Sequence, residues 1–351
     1  MNTVILQDSE NIARSSFISW DRLSGKTVFI TGATGFVGSC IIRGIMYRNM
    51  HMNAGIKIAA MVRNRQRAEQ MFVEYLETGL IDFAVGDVCS EVRYDGNVDF
   101  VIHCASNAAP KEYAEDPVGT MKTNFYGTLG LLEFAKSKNA EKFLYVSTIE
   151  VYGNTDKDGE ITEDGYGYID AVNPRSCYPI SKKACETAAV CFGAQYGMPV
   201  SIGRLSYIFG AGMKKNDSKV VAILARAAAA GEDMVLKSKG EQKRSYTYIS
   251  DAVTGLLTIL LEGENGQAYN IASSLCITTI AGMGRTLEEL YSDKGVKLKF
   301  DLPSEDEKKK FSPIRDAVLS NKKLRSLGWA EKTDLKDGLY RMTESIAEDN
   351  R

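Results

Sequence analysis

Four side chains are of types, and at spacings, that can carry proton chemistry. Tyr178 and Lys182, in Tyr178-Pro-Ile-Ser-Lys182, stand four residues apart and therefore share one face of a helix beginning near Pro179. An ammonium beside a phenol favours phenolate, which lets Tyr178 act as a general base at a pH where free tyrosine stays protonated. Thr148 and Glu150, in Tyr145-Val-Ser-Thr148-Ile-Glu150-Val-Tyr-Gly153, sit where a buried-looking strand ends. Thr148 can hydrogen-bond a substrate hydroxyl, and Glu150 offers a carboxylate where the chain leaves the sheet. Plainer readings exist: a packed aromatic next to a solvated lysine, and a surface glutamate in a loop.

An upstream segment favours the chemical reading. Lys26-Thr-Val-Phe-Ile-Thr-Gly-Ala-Thr-Gly-Phe-Val-Gly38 runs a short β-rich stretch into Gly32, Gly35 and Gly38, and then into Ile41, Ile42, Ile45 and Met46 at helical spacing. Gly32 can make the tight turn, Gly35 lets the backbone approach a pyrophosphate, and Gly38 lets the helix pack close to the sheet. The helix N-terminus, from Thr34 through Phe36 and Val37, supplies free N–H groups and positive dipole. The second strand ends in Met61-Val62-Arg63-Asn64-Arg65, with no acidic residue to accept from an adenosine ribose. Arg63, with Arg65 or Arg67 behind it, can pair with a 2′-phosphate and so favours NADP over NAD, unless these arginines form a solvated helix start. Asp87, before Val88, is placed to accept from an adenine amino group or to close a short acidic turn.

These residues need a particular scaffold. Apolar segments at 26–31, 56–62, 81–85, 99–103, 142–147 and 199–204 read as strands, alternating with helical segments such as 127–136. Such alternation predicts an α/β, Rossmann-like, doubly wound parallel sheet with ligands at the strands' carboxyl ends. After residue 204 the rhythm breaks. A smaller, discontinuous C-terminal substrate domain is expected at 205–244 and 276–345, with about 245–275 returning to the dinucleotide-binding domain of 25–204, and an N-terminal arm at 1–24.

Composition narrows the class. The 351 residues, 44% hydrophobic and 25% charged with a net charge of −2, suit a large folded core and give no basic face for nucleic acid. No window has the apolar length of a membrane span, and the first 25 residues do not read as a signal peptide. The seven cysteines contain no Cys-x-x-Cys pair and read as reduced thiols of a cytoplasmic protein. Only His51 and His103 are available, so no metal site and no Ser-His-Asp triad is expected.

The combination resembles an extended short-chain dehydrogenase/reductase of the NAD-dependent epimerase/dehydratase group, over roughly residues 25 to 330. The run His103-Cys-Ala-Ser-Asn-Ala-Ala-Pro-Lys-Glu-Tyr113 to Lys122-Thr-Asn124 and Gly127-Thr128, with Pro174-Arg175-Ser-Cys-Tyr178, is most similar to UDP-glucuronate decarboxylases. The resemblance implies dinucleotide contacts from Gly32, Thr34, Gly35, Phe36, Val37, Gly38, Arg63, Asp87, Val88, Ala105, Ser106, Asn124, Tyr178 and Lys182. It implies substrate contacts from Pro110, Tyr113, Arg175, Arg244 in Lys243-Arg244-Ser-Tyr-Thr-Tyr-Ile-Ser-Asp251, and Arg315, with Arg244 on the diphosphate. It further implies a homodimer through helices near 117–137 and 179–196.

The implied reaction borrows a hydride from sugar C4 onto retained, recycled NAD or NADP. Tyr178 takes the 4-hydroxyl proton and Thr148 orients that group. Decarboxylation of UDP-glucuronate is the leading expectation; 4-epimerisation, 4,6-dehydration, NADPH-dependent ketoreduction and a non-catalytic dinucleotide sensor are the alternatives. Three residues depart from the family pattern. Ile149 stands where dehydratases often have Asp and decarboxylases Ser. Arg63 follows the second strand where decarboxylases tend to have Asp, and Tyr207 replaces a frequent nucleotide-contacting Asn.

Overall fold

The computed structural model describes residues 2–108, 110–155, 159–302 and 316–350. Arg315 and the charged run at 305–310 lie outside them. Seven parallel strands form the main sheet: β1 (Thr27–Thr31), β2 (Lys57–Val62), β3 (Ile81–Val85), β4 (Phe100–His103), β5 (Lys142–Thr148), β6 (Val200–Leu205) and β10 (Gln267–Ile271). Their spatial order is β3-β2-β1-β4-β5-β6-β10, every neighbouring pair being parallel. Consecutive strands diverge from β1, leaving a crevice at the carboxyl ends of β1 and β4. Every residue of β1 is buried, as expected of a parallel strand covered on both faces.

Helices cover the sheet for legible local reasons. In α2 (Phe36–Met52), Ile41, Ile42, Ile45 and Met46 are fully buried, the stripe read from spacing. Asp116 caps α5 (Pro117–Ser137), its carboxylate accepting from the Gly119 N–H at 2.9 Å with Pro117 in the first turn. Helix α6 (Cys177–Tyr196) ends at Gly197, whose φ of 69° suits a glycine C-cap. Helix α8 (Ile249–Glu262) is buried along most of its length and packs on β5, β6 and β10. The short helices α3 (Arg65–Met71) and α4 (Pro110–Glu115) flank the crevice.

Two small sheets lie beyond the main one. One joins β7 (Tyr207–Phe209), β9 (Lys243–Tyr248) and β11 (Ile277–Thr279); the other pairs β8 (Met234–Leu236) with β12 (Leu298–Phe300). Around them stand α7 (Val220–Ala230), α9 (Ile280–Leu290), α10 (Lys322–Arg325) and α11 (Leu335–Asp349).

The N-terminal arm forms α1 (Thr3–Ala13), which packs on α2, α8 and α11. Ile12 fills the hollow left by Gly44, where a Cβ would lie 2.5 Å from its side chain. Asp8 pairs with Arg341 at 2.6 Å and accepts from the Tyr248 hydroxyl at 2.8 Å. Burial raises the Asp8 pKa against the pull of Arg341.

Candidate active site

The turn from β1 to α2 is built for close approach. Gly32 has a φ of +65°, and a Cβ there would lie 2.8 Å from the Ala105 backbone nitrogen. At Gly38 a Cβ would lie 2.4 Å from the Gly32 carbonyl oxygen, so a side chain at either position would push the turn apart. Gly35 caps α2 in an extended conformation, leaving the helix N-terminus open. A cavity of about 710 Å³ runs from Gly32, Gly35 and Gly38 past Ser106 to Thr148 and Tyr178. Glycine turn, open helix N-terminus and cavity together suit a dinucleotide pyrophosphate.

Other expected cofactor residues occupy distinct places. Ala105 donates its N–H to the Thr31 hydroxyl at 3.2 Å. Ser106 donates to the Asn124 side-chain oxygen at 2.7 Å, and Asn124 to Ser181 at 2.8 Å, tying the cavity wall to α6. Thr34 is half-buried in the turn. Asp87 accepts from the Cys89 N–H at 2.8 Å, so its carboxylate closes a turn, while Val88 packs toward Gly127. Of the arginines, Arg65 pairs with Glu69 at 2.8 Å, Arg63 is exposed, and Arg67 lines the cavity. His103 bridges Thr31 at 2.7 Å and Thr128 at 3.1 Å. Burial, assisted by Lys182, pushes its pKa down to about 3, keeping it a neutral crosslink.

The proton-handling groups meet where β5 ends. Thr148 closes β5 and accepts from the Glu150 N–H at 3.3 Å as the chain turns away. Tyr178, in the first turn of α6, is 5% exposed and lines the same cavity as Thr148. Tyr113 of α4 stacks on Tyr178, ring centroids 5.2 Å apart and planes 8° from parallel. Pro110 begins the same helix and is exposed. Burial raises the Tyr178 pKa, Glu150 adds to the rise, and Thr148 opposes it.

Lys182 is anchored under the end of β5. Its ammonium, 3% exposed, donates to the Val146 carbonyl at 2.6 Å and lies 4.3 Å from the Tyr145 ring centroid. Burial pushes it down to about 8. The side chain runs under the end of β5, and burial, Glu150, Thr148 and Tyr113 act on the Tyr178 phenol.

Glu150 is half-buried, and desolvation raises its carboxyl to about 7 against the pull of Arg175 and Arg244. Arg175 sits in a short turn capped by Asn173, and its charge opposes the rise that burial imposes on the Tyr113 phenol. Arg244 lies in β9. A second cavity of about 280 Å³ adjoins the first and shares Ile149, Glu150 and Tyr207 with it.

One support was missed from sequence. Glu186, a turn beyond Lys182 on α6, accepts from Ser147 at 2.5 Å and pairs with Arg204 at 2.7 Å; Arg204 also reaches the Tyr152 hydroxyl at 2.9 Å. The spacing 178, 182, 186 put it on the catalytic face of the helix. Among the described residues, no group of three or more His, Cys, Asp or Glu could hold a metal ion, and no helix is long and apolar enough to cross a membrane.

A model of the NAD dependent epimerase/dehydratase family matches residues 28–272. The UDP-glucuronic acid decarboxylase 1 of Xenopus tropicalis is 30% identical over 315 residues, covering 90% of this chain and 70% of that protein. The UDP-glucose 4-epimerase of Thermotoga maritima, solved with UDP-glucose, superposes with a TM-score of 0.77 at 22% identity, over 93% of this chain and 100% of that one. The UDP-glucuronic acid 4-epimerase of Bacillus cereus, solved with UDP-glucuronic acid and NAD, gives a TM-score of 0.74 at 20% identity, over 92% and 99%.

Proposed function

We propose a reaction for this chain, which belongs to the NAD dependent epimerase/dehydratase family: decarboxylation of UDP-glucuronate through transient oxidation at sugar C4. The protein is accordingly an NAD(P)-dependent nucleotide-sugar enzyme, and its curated relatives are UDP-glucuronic acid decarboxylases. The observation that carries the choice is that Thr148, Tyr178 and Glu150 line one cavity, with the Arg175 and Arg244 guanidiniums near enough to act on the Glu150 carboxyl. Guanidiniums suit a substrate bearing both a carboxylate and a diphosphate.

When bound, the oxidised nicotinamide supplies the hydride acceptor and a positive charge that favours phenolate. Tyr178 takes the proton of the 4-hydroxyl while Thr148 holds its oxygen. Once C4 is a ketone the sugar is a β-keto acid. The C5–carboxylate bond then breaks, its electron pair passing to the C4 oxygen that Thr148 and Tyr178 already hold. Glu150, titrating near neutrality, holds the proton that C5 takes up, and Tyr178 would return its proton to the C4 oxygen as C4 is reduced again, leaving the cofactor oxidised for the next turnover.

Incubation with UDP-glucuronate and no added cofactor should release carbon dioxide, followed by product mass. An unchanged mass with a new sugar spectrum would instead identify an epimerase. Loss of water would identify a dehydratase, an outcome Ile149 opposes because it has no proton to deliver to a leaving hydroxyl. Turnover only with stoichiometric NADPH would identify a ketoreductase.

Arg67 at the cavity and the exposed Arg63 support NADP over NAD. A homodimer is supported by the exposed Val118, Met121, Phe125 and Tyr126 of α5 and Val190 and Tyr196 of α6, and sedimentation at twice the chain mass is expected. The seven free cysteines are consistent with a cytoplasmic setting.

A further inference from the structure

We propose that Tyr207 is a positioning residue that presents Arg244 to the diphosphate of a nucleoside diphosphate; the inference rests on the nucleotide-sugar reading above. Tyr207 opens β7 and fronts both cavities next to Glu150. The guanidinium carbon of Arg244 lies 4.7 Å from the Tyr207 ring centroid, within cation–π range. The ring is itself supported. Tyr246 lies 5.6 Å away, and the apolar cluster of Ile149, Val151 and Ala272 packs against it. The Arg244 backbone is fixed from two sides, by the pairing of β9 with β11 and by a bridge to Ala317.

A contact through the face of a guanidinium leaves its in-plane N–H donors for other partners, and the charge of Arg244 also acts on the Tyr246 hydroxyl. One of those donors, Nε, is buried with no hydrogen-bond partner among the described residues. A buried donor left unpaired is costly, and one on a guanidinium held against a ring that lines both cavities points to a ligand acceptor. A planar fork kept beside a cavity-lining ring with a donor to spare matches the oxygens of a phosphate. A smaller amide at 207 could donate a hydrogen bond of its own but could not support the fork.

The test is calorimetric binding of UDP to the purified full-length protein, with kcat and KM for the sugar nucleotide measured alongside. Tyr207→Phe keeps the ring and should stay within about 2-fold of the parent. Tyr207→Leu removes the π face and should weaken UDP about 5- to 30-fold, with KM rising more than kcat falls. Added to Arg244→Ala, Tyr207→Leu should cost almost nothing further, because the two act as one unit.

Arg244→Lys keeps the charge and loses the fork, and should weaken UDP nearly as much as Arg244→Ala; it keeps the proposal testable should Tyr207→Leu fail to fold. Retention of affinity by Arg244→Lys, equal affinities of Tyr207→Leu and Tyr207→Phe, or additivity in the double variant would overturn the proposal and leave the nucleotide-sugar reading standing. Failure of the parent protein to bind UDP, TDP, CDP or GDP would overturn both.

Discussion

Replacing Glu150 by Gln should stabilise the fold, and by an amount that grows with pH. The folded carboxyl titrates near 7 rather than at the ordinary 4.5, because burial disfavours its charge more than Arg175 and Arg244 favour it. Between those values the unfolded chain has released the proton and the folded chain still holds it. Folding therefore becomes less favourable as pH rises, beginning above 4.5 and levelling off above 7. The full shift corresponds to about 3 kcal/mol at 1.36 kcal/mol per pKa unit; cleft water screens part of it, leaving about 1–3 kcal/mol. Gln has the shape of the neutral acid and carries no such penalty. With an unfolding entropy of roughly 2.1 cal/mol/K per residue, 1 kcal/mol moves the melting temperature of this chain by about 1.4 °C. Melting curves of both proteins from pH 5.5 to 8.5 should show Glu150→Gln gaining about 1–4 °C at the alkaline end and less at the acid end. A gain independent of pH, or one that shrinks as pH rises, would refute the burial argument and place Glu150 as an ion-paired carboxylate.

Three further outcomes follow from the geometry. Tyr178→Phe keeps the stack on Tyr113 and removes only the phenolic oxygen, so turnover of the true substrate should fall about 10²- to 10⁴-fold while dinucleotide binding by calorimetry persists. Gly38→Ala drives a methyl group to 2.4 Å from the Gly32 carbonyl; the turn must move, and both NAD and NADP affinity should drop at least about 10-fold, as fluorescence titration would show. Arg67→Ala should weaken NADP selectively over NAD, and more than Arg63→Ala does, because Arg67 lines the cavity; tighter binding of NAD by the unmodified protein would return both arginines to a solvated helix start.

Much of the scaffold was legible because its signals are local. All six strands read from apolar runs lie in the main sheet, and the glycine spacing found a turn in which a Cβ at Gly32 or Gly38 has no room. What escaped depends on partners far away in the chain. The N-terminal arm carries Val4, Asp8 and Ile12 on one buried face; the acid in that stripe hides the helix until Arg341, 333 residues later, supplies its counter-ion. Asp87 was readable as a turn or an adenine contact, and the bond from the Cys89 N–H supports the turn. Tyr207 was visible only as a departure from a pattern, since nothing near it in sequence announces the guanidinium on its face.

The shift of Lys182 has the same origin as those of its neighbours. At the carboxyl end of β5, burial is the first cause of every resolved shift around the cavity: His103 and Lys182 are pushed down, Tyr178 and Glu150 up. Each moves toward its neutral form, as desolvation requires. The guanidiniums of Arg175 and Arg244, too basic to be neutralised, remain as fixed positive charge beside Glu150. A site so biased attracts anions, and phosphate or carboxylate groups arriving with substrate restore the local charge balance. The tuning of Tyr178 therefore belongs to the loaded site, where cofactor and substrate together set the phenol, and the i, i+4 spacing to Lys182 does not set it alone.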